Sequence, residues 1–159
     1  RKRGEISGVR SYFVSILGLV ILWLALYYIG RGQPNLQMLG LRLCMFGWLS
    51  LALGDGLAGL VGPSPSRTLT VPWNKHKTWW GMLGCLVGAA IAYSATMLLT
   101  TRFYFQEPLA TSTLLVGSLV AGLFVALAES TTSKIDDNYS VVFAAALVMM
   151  LLQLGEYGR

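Results

Sequence analysis

The 159-residue chain is 55% hydrophobic and only 12% charged, with a mean hydropathy of +0.61. Because about a quarter of the residues in soluble domains are charged, this composition excludes a soluble domain and indicates a polytopic membrane protein that forms one small domain over residues 1–159. The net charge of +5 does not indicate a nucleic-acid partner, because lysines and arginines at loop ends orient membrane helices.

Five apolar stretches are candidates to cross a bilayer as helices, which takes about 20 mostly apolar residues each. They cover residues 9–29, 36–61, 79–99, 113–128 and 139–154. The predicted fold class is therefore all-α, a polytopic membrane helix bundle with about five transmembrane helices. Arg42 lies near the start of the second stretch, where we expect its long side chain to snorkel to the interface. Residues 63–78 are predicted to form a polar loop.

Five spans place alternate loops on opposite sides of the membrane. The N-terminus and the loops at 63–78 and 129–139 then share one side. That side holds eight of the twelve basic residues, namely Arg1, Lys2, Arg3, Arg10, Arg67, Lys75, Lys77 and Lys134. The positive-inside rule makes it cytoplasmic, or stromal in a plastid. Five of the seven acids map to the same side, namely Glu5, Asp55, Glu129, Asp136 and Asp137. The rule does not explain the acids, so this face is predicted to bind a charged ligand with metal ions.

Asp55 ends the second span, between Gly54 and Gly56. A carboxylate near the bilayer is costly and is a functional-site candidate by default. The segment GDGLAG matches a lone G-x-G-x-x-G, but the dinucleotide interpretation requires a preceding strand and a βαβ unit, whereas here an apolar helix is predicted. Close helix packing would explain the small residues but leaves Asp55 without a role. Asp55 is therefore predicted to be a metal ligand or a catalytic base.

Asn74, Lys75 and Lys77 precede a helix that is predicted to begin near Thr78. Lysines together with the exposed N–H groups of a helix N-terminus suit a phosphate. The Walker A pattern is missing, which excludes a soluble P-loop fold. His76 is interpreted as a loop residue rather than a metal ligand, because the sequence holds no second histidine.

Glu129 closes the fourth span, and Asp136, Asp137 and Asn138 precede the fifth. One such residue suffices to cap a helix. Several hard oxygen ligands suit Mg²⁺, which typically takes one or two carboxylates plus substrate phosphates. Phosphoryl transfer needs metal ions and lysines to neutralise charge, and a carboxylate such as Asp55 can accept the proton of the attacking hydroxyl. The residues therefore indicate a membrane enzyme that acts on a lipid with a phosphorylated co-substrate, without separating kinase from nucleotidyl transfer.

Three segments resemble the CTP-dependent lipid kinase family of phytol, farnesol, dolichol and diacylglycerol kinases, and most closely its plastid and cyanobacterial phytol kinases. They are GDGLAGLVG at 54–62, PWNKHKTWWG at 72–81 and ALAESTTSKIDDNYSV at 126–141; RKRGEISG at 1–8 is a weaker match that adds Glu5 as a candidate. The resemblance covers nearly the whole chain. It implies transfer of the terminal phosphate of CTP, with Mg²⁺, to phytol or a related prenyl alcohol, giving phytyl phosphate for tocopherol and prenyl-lipid synthesis.

Residues and resemblance together assign Asp55 and Lys77 as catalytic. The metal ligands are expected to be Asp55, Glu129, Asp136 and Asp137. The nucleotide and phosphate contacts are expected to be Gly54, Gly56, Asn74, Lys75, Lys77, Thr78 and Asn138. The chain departs from the family where Thr78 replaces the usual Ser, which keeps the hydroxyl, and where Met82 follows Gly81. Family members have further N-terminal helices, so the chain is expected to be N-terminally truncated relative to them.

Other functions stay open at this point. A phosphatidate cytidylyltransferase or a diacylglycerol kinase-like enzyme would use similar residues. A small transporter or a membrane scaffold subunit would place charges along a path through the bilayer, and the spans hold almost none apart from Arg42. The expected location is a bacterial inner, thylakoid or plastid membrane, with the active site facing cytoplasm or stroma. The expected partners are the lipid alcohol, the nucleotide and membrane lipids, without nucleic acid; the alcohol's chain length and the oligomeric state are left open.

Overall fold

The computed structural model describes the backbone of residues 2–63, 69–105, 109–132 and 137–157. It describes the side chains of residues 9–63, 69–103, 109–132 and 138–153. Over these ranges the chain is an all-α helical bundle that carries one two-stranded hairpin. The predicted fold class is confirmed.

The helices follow the predicted apolar stretches, and a π-helical stretch directly follows α2 and another follows α4. In chain order the elements are α1 (Lys2–Ile29), α2 (Pro34–Leu49), a π-helical stretch (Ser50–Asp55), α3 (Gly56–Val61), β1 (Thr70–Val71), β2 (Asn74–Thr78), α4 (Trp79–Thr100), a second π-helical stretch (Thr101–Phe105), α5 (Thr111–Thr131) and α6 (Asp137–Tyr157). The α2 helix, the first π-helical stretch and α3 follow one another without a break. The short turn before α2 contains Gly32 at φ +86°, a conformation that glycine adopts without strain.

In the part of the chain that the structure describes, four helical segments are long and apolar enough to cross a membrane, namely Val9–Ile29, Pro34–Val61, Trp79–Phe103 and Thr111–Thr131. A fifth apolar segment, Asn138–Gln153, is shorter within the described residues. Most large apolar side chains on the outer faces of these helices are exposed, as expected of surfaces that contact lipid. The chain is therefore an integral membrane protein.

Helix α4 lies at the centre of the bundle and packs against α2, α3, the first π-helical stretch and α5. Glycines allow several of these close approaches. A Cβ atom added at Gly88 would lie 2.3 Å from the Leu53 carbonyl oxygen, and one at Gly122 would lie 2.7 Å from the Leu86 carbonyl oxygen. The backbone just before Asp55 is thus held directly against α4.

The side-chain contacts divide the bundle into two ends. At one end, which we call the hairpin end, Trp73 contacts Ser130, and Asn138 of α6 contacts Ser11 of α1. At the other end, Arg42 of α2 contacts residues at the end of α4 and in α6. The chain segments around 11, 73–78, 129–132 and 138 therefore share one end, as the alternation of five spans predicts.

Arg42 does not reach the interface, so that expectation is wrong. Its side chain is 5% exposed. The guanidinium donates from Nε to Thr100 Oγ1 at 3.1 Å, from Nη2 to Thr101 Oγ1 at 3.4 Å and from Nη1 to Gln153 Oε1. Three acceptors supplied by two other helical segments replace the water that a snorkelling arginine would reach.

The segment predicted as a loop at 63–78 contains the hairpin. Strands β1 and β2 pair antiparallel, with Thr70 opposite Thr78 and Val71 opposite Asn74. Val71 is fully buried, and the Trp79 backbone N–H donates to the Leu69 carbonyl oxygen at 3.0 Å. The hairpin is therefore anchored directly to the start of α4, and the prediction of a plain loop is wrong for residues 70–78.

Candidate functional site

A cavity of about 640 Å³ lies at the hairpin end of the bundle. Its walls come from α3, the hairpin, the first turn of α4 and the last turns of α5. It is lined by Asp55, Ala58, Gly59, Gly62, Pro63, Thr70, Lys75, His76, Lys77, Thr78, Gly81, Met82 and Glu129. The structure thus brings five of the predicted site residues to one cavity, and they come from segments up to 74 positions apart: Asp55, Lys75, Lys77, Thr78 and Glu129.

Asp55 is the last residue of the first π-helical stretch, and it lies on the same side of the helix as the α3 residues that line the cavity. The lining residues Asp55, Ala58, Gly59 and Gly62 are spaced by three and four positions, which places them on one side of a helix. Gly59 leaves that side open, since a Cβ atom added there would meet no other atom within 4 Å. π-helical turns are rare and frequently mark functional sites, and here one carries the candidate carboxylate.

The hairpin contributes the positive charges. Lys75 and His76 are exposed and Lys77 is partly buried, and all three line the cavity. The predicted start of α4 is confirmed, because Thr78 is its N-cap: its Oγ1 accepts from the Gly81 backbone N–H at 3.0 Å and donates to the Gly62 carbonyl oxygen at 3.1 Å. The first turn of α4 therefore borders the cavity, where its N–H groups and helix dipole favour an anion.

Lys77 Nζ and a carboxylate oxygen of Glu129 form an ion pair between β2 and α5. The Glu129 side chain is 4% exposed and that of Lys77 is 20% exposed. A charge removed from water is costly unless an opposite charge lies against it, and each member of this pair offsets that cost for the other. The pair also fixes the hairpin against α5.

Asn74 holds the hairpin in place. Its side chain is 5% exposed; its Nδ2 donates to the carbonyl oxygens of Ser130 at 3.1 Å and Thr132 at 3.0 Å, and its Oδ1 accepts from the His76 backbone N–H at 3.1 Å. The amide thus satisfies carbonyl groups at the end of α5 that no helical N–H reaches. Asn74 does not line the cavity, and its predicted phosphate contact stays a prediction beside this positioning role.

Three other predicted nucleotide contacts lie off the described cavity wall. The Cβ position of Gly54 is in ordinary packing contact with Cys85 and Ala89, at 3.6 and 3.7 Å, and that of Gly56 meets no atom within 4 Å. Asn138 Nδ2 donates to Ser11 Oγ at 2.7 Å and so joins α6 to α1. The nucleotide-binding roles of Gly54, Gly56 and Asn138 stay predictions, and the packing of Gly54 against α4 gives that glycine a structural reason.

A closed, protein-only metal site is not formed by the described residues, where no group of three or more His, Cys, Asp or Glu could hold a metal ion. Asp55 and Glu129 do line one cavity. Two carboxylates completed by substrate phosphates are a typical Mg²⁺ environment, so the donors present fit a metal bound together with phosphate. Asp136 and the side chains of Glu5 and Asp137 lie outside the described residues, and their predicted roles stay predictions.

The sequence interpretation missed His76 and the small residues of the α3 wall. His76 lines the cavity between the two lysines, although it was interpreted as a loop residue. Gly59 and Gly62 lie four and seven positions after Asp55, and this helical spacing was the available signal for the wall. His76 had no comparable signal, because its place depends on the hairpin.

Comparisons of the chain with family models, with curated proteins and with solved structures find no match. The geometry of the cavity therefore carries the functional inference.

Proposed function

We propose that the protein is a CTP-dependent lipid-alcohol kinase that transfers the terminal phosphate of CTP to phytol or a related prenyl alcohol. The observation that carries the proposal is one cavity, at one end of a membrane helix bundle, lined by two carboxylates, two lysines and the first turn of a helix. Both charge signs at one membrane surface suit a polyphosphate with its metal ion. The choice of CTP and of a prenyl alcohol rests on the resemblance of the three sequence segments.

In this mechanism Lys75, Lys77 and the N–H groups at the start of α4 hold phosphate oxygens. The alcohol oxygen forms a bond to the terminal phosphorus while the bond from that phosphorus to the bridging oxygen breaks, releasing CDP. Asp55 accepts the hydroxyl proton or, where it would instead hold the metal, that proton passes to water. Asp55 and Glu129, with Asp136 and Asp137, would hold Mg²⁺, which when bound neutralises charge on the transferred group.

The lipid acceptor fits the surroundings of the cavity. Next to Gly59 of the cavity wall, Leu60 is 78% exposed, and Trp79 and Trp80 at the start of α4 are each 45% exposed. Tryptophans are typical of the membrane–water interface. An alcohol whose tail stays in the bilayer can therefore present its hydroxyl at this depth.

The proposed location is a bacterial inner, thylakoid or plastid membrane. The hairpin end is proposed to face the cytoplasm or stroma, because it corresponds to the side of the membrane on which the sequence predicts eight of the twelve basic residues. Phytyl phosphate formed there would supply tocopherol and prenyl-lipid synthesis.

The test is turnover by the purified chain with phytol, farnesol or diacylglycerol as acceptor and CTP or ATP as donor. CDP and a phosphorylated alcohol support the proposal, whereas pyrophosphate and a CDP-lipid would assign cytidylyl transfer instead. Asp55→Asn is expected to abolish turnover while the protein still inserts. Glu156→Gln, which removes an acid near the end of α6 away from the cavity, is the matched control and is expected to keep it.

A further inference from the structure

The ion pair between Lys77 and Glu129 lies in the cavity that is proposed to receive the nucleotide. Glu129 is almost completely buried, and Lys77 is more exposed. Lys75, in contrast, is exposed on the same strand. A phosphate that binds Lys77, or a cation that binds Glu129, must therefore loosen a contact that already exists, whereas Lys75 needs no such exchange with Glu129.

A ligand that takes the place of only Lys77 or only Glu129 in this ion pair is bound at an electrostatic cost. Phosphate alone would draw Lys77 away and leave the buried Glu129 carboxylate beside additional negative charge. A metal ion alone would draw Glu129 away and leave the Lys77 ammonium beside additional positive charge. A buried charge that loses its partner is strongly destabilising, and the low local dielectric strengthens the repulsion.

A metal–phosphate complex avoids both costs because it supplies an opposite charge to each residue. We propose that the Lys77–Glu129 pair is a resting contact that exchanges for a metal-complexed polyphosphate, so that the cavity selects metal-bound nucleotide over free nucleotide. This inference rests on the proposed function. Lys77 moves from Glu129 to a phosphate oxygen, and Glu129 moves from Lys77 to the metal. The other charged or titratable side chains on the cavity wall are Asp55, Lys75 and His76.

The experiment measures the Kd of CTP for the full chain in detergent without an alcohol acceptor, once in EDTA and once in saturating Mg²⁺. Binding in Mg²⁺ is expected to be tighter by about 5- to 150-fold, the usual range for coupling between two ligands. Simple charge attraction predicts the opposite order, because Mg²⁺ reduces the negative charge of CTP that attracts the lysines. The wild-type ratio therefore tests the inference without any variant.

Glu129→Gln gives a second test, because this variant is expected to strengthen rather than weaken the binding of CTP in EDTA. Loss of the carboxylate removes the Glu129 contact with which phosphate competes for Lys77, so CTP in EDTA is expected to bind about fivefold tighter or more than to wild type, and the preference for Mg²⁺ shrinks. A role for Glu129 as a metal ligand only would leave binding in EDTA unchanged. Glu156→Gln removes the same charge near the far end of α6 and is expected to change neither Kd by more than about twofold, because charges farther apart than a Debye length interact weakly in salt.

The outcomes separate the two proposals. Equal Kd values with and without Mg²⁺ overturn the exchange but leave nucleotide binding standing. Tighter binding in EDTA for both Glu129→Gln and Glu156→Gln also overturns the exchange, because it would show a general charge effect. Absence of CTP binding to wild type under either condition overturns the proposed function, and the exchange with it.

Discussion

Replacing Gly88 by alanine tests the crossing that positions Asp55. The added Cβ atom would lie 2.3 Å from the carbonyl oxygen of Leu53, 2.6 Å from its carbonyl carbon and 2.8 Å from Gly54 Cα. These are backbone atoms and cannot rotate aside, so restoring an ordinary contact of about 3.5 Å requires the two helices to separate by about 1 Å. Overpacking of this kind costs about 1–3 kcal/mol.

Gly18→Ala is the matched control, because Gly18 lies inside α1 and a Cβ atom there meets nothing within 4 Å. Both variants gain about 1 kcal/mol from the better helix propensity of alanine, so the difference between them reports the clash. We expect Gly88→Ala to unfold at a lower temperature than Gly18→Ala in detergent, by about 2–4 °C for each kcal/mol. The measurement is thermal unfolding followed by circular dichroism.

The same displacement should reach the cavity, since Leu53 lies two positions before Asp55. A catalytic group misplaced by about 1 Å can cost about 100-fold in rate, and we expect a fall of that order in turnover of the proposed reaction for Gly88→Ala and little change for Gly18→Ala. Equal thermal stability of the two variants would refute the close crossing. Equal turnover with unequal stability would instead show that Asp55 does not depend on it.

Three further predictions concern the other parts of the molecule. Gly59→Leu should fill cavity space without loss of thermal stability and lower turnover of the proposed alcohol substrate by about tenfold or more, whereas Gly18→Leu in α1 should leave that turnover unchanged. Arg42→Lys should lower the free energy of unfolding by about 1–3 kcal/mol, measured by denaturant titration, because the three acceptors are met by three separate guanidinium nitrogens, whose spread a single ammonium nitrogen does not reproduce; its Kd for CTP should be unchanged. Asn74→Asp should speed amide hydrogen exchange in β2 by about tenfold or more, because two donated hydrogen bonds are lost; unchanged exchange would remove its positioning role.

Hydropathy alone predicts the helices of this chain well. Spanning a bilayer demands about 20 apolar residues, and this requirement predicts the ends of the helices within a few residues, except that α1 begins at Lys2, seven residues before the predicted stretch. The predicted spans also place residues 55, 77 and 129 at one end, because each crossing of the membrane puts the next loop on the opposite side. Thr78 as the start of α4 was also predictable, since an N-cap needs only a local hydrogen bond.

Contacts between distant segments could not be predicted in this way. Arg42 is buried because Thr100 and Gln153, 58 and 111 positions away, meet its guanidinium. Asn74 turns toward α5 because Ser130 and Thr132 present carbonyl groups there. The local sequence pattern predicts neither the hydrogen-bond partner nor its distance along the chain. A snorkelling arginine and a phosphate-binding asparagine are therefore equally reasonable predictions from the sequence.

The two charged clusters of the bundle differ in a way that bears on function. Both require charge to be placed at membrane depth or near it, which is costly. For Arg42 this cost is offset within the protein, because its side chain is 5% exposed and donates to hydroxyl and amide acceptors. The cavity instead keeps Lys75 exposed and Asp55 partly exposed beside the buried Glu129. Accessible charges of both signs around an open volume are better explained by a charged ligand than by stability, because accessible surface charges contribute little to folding.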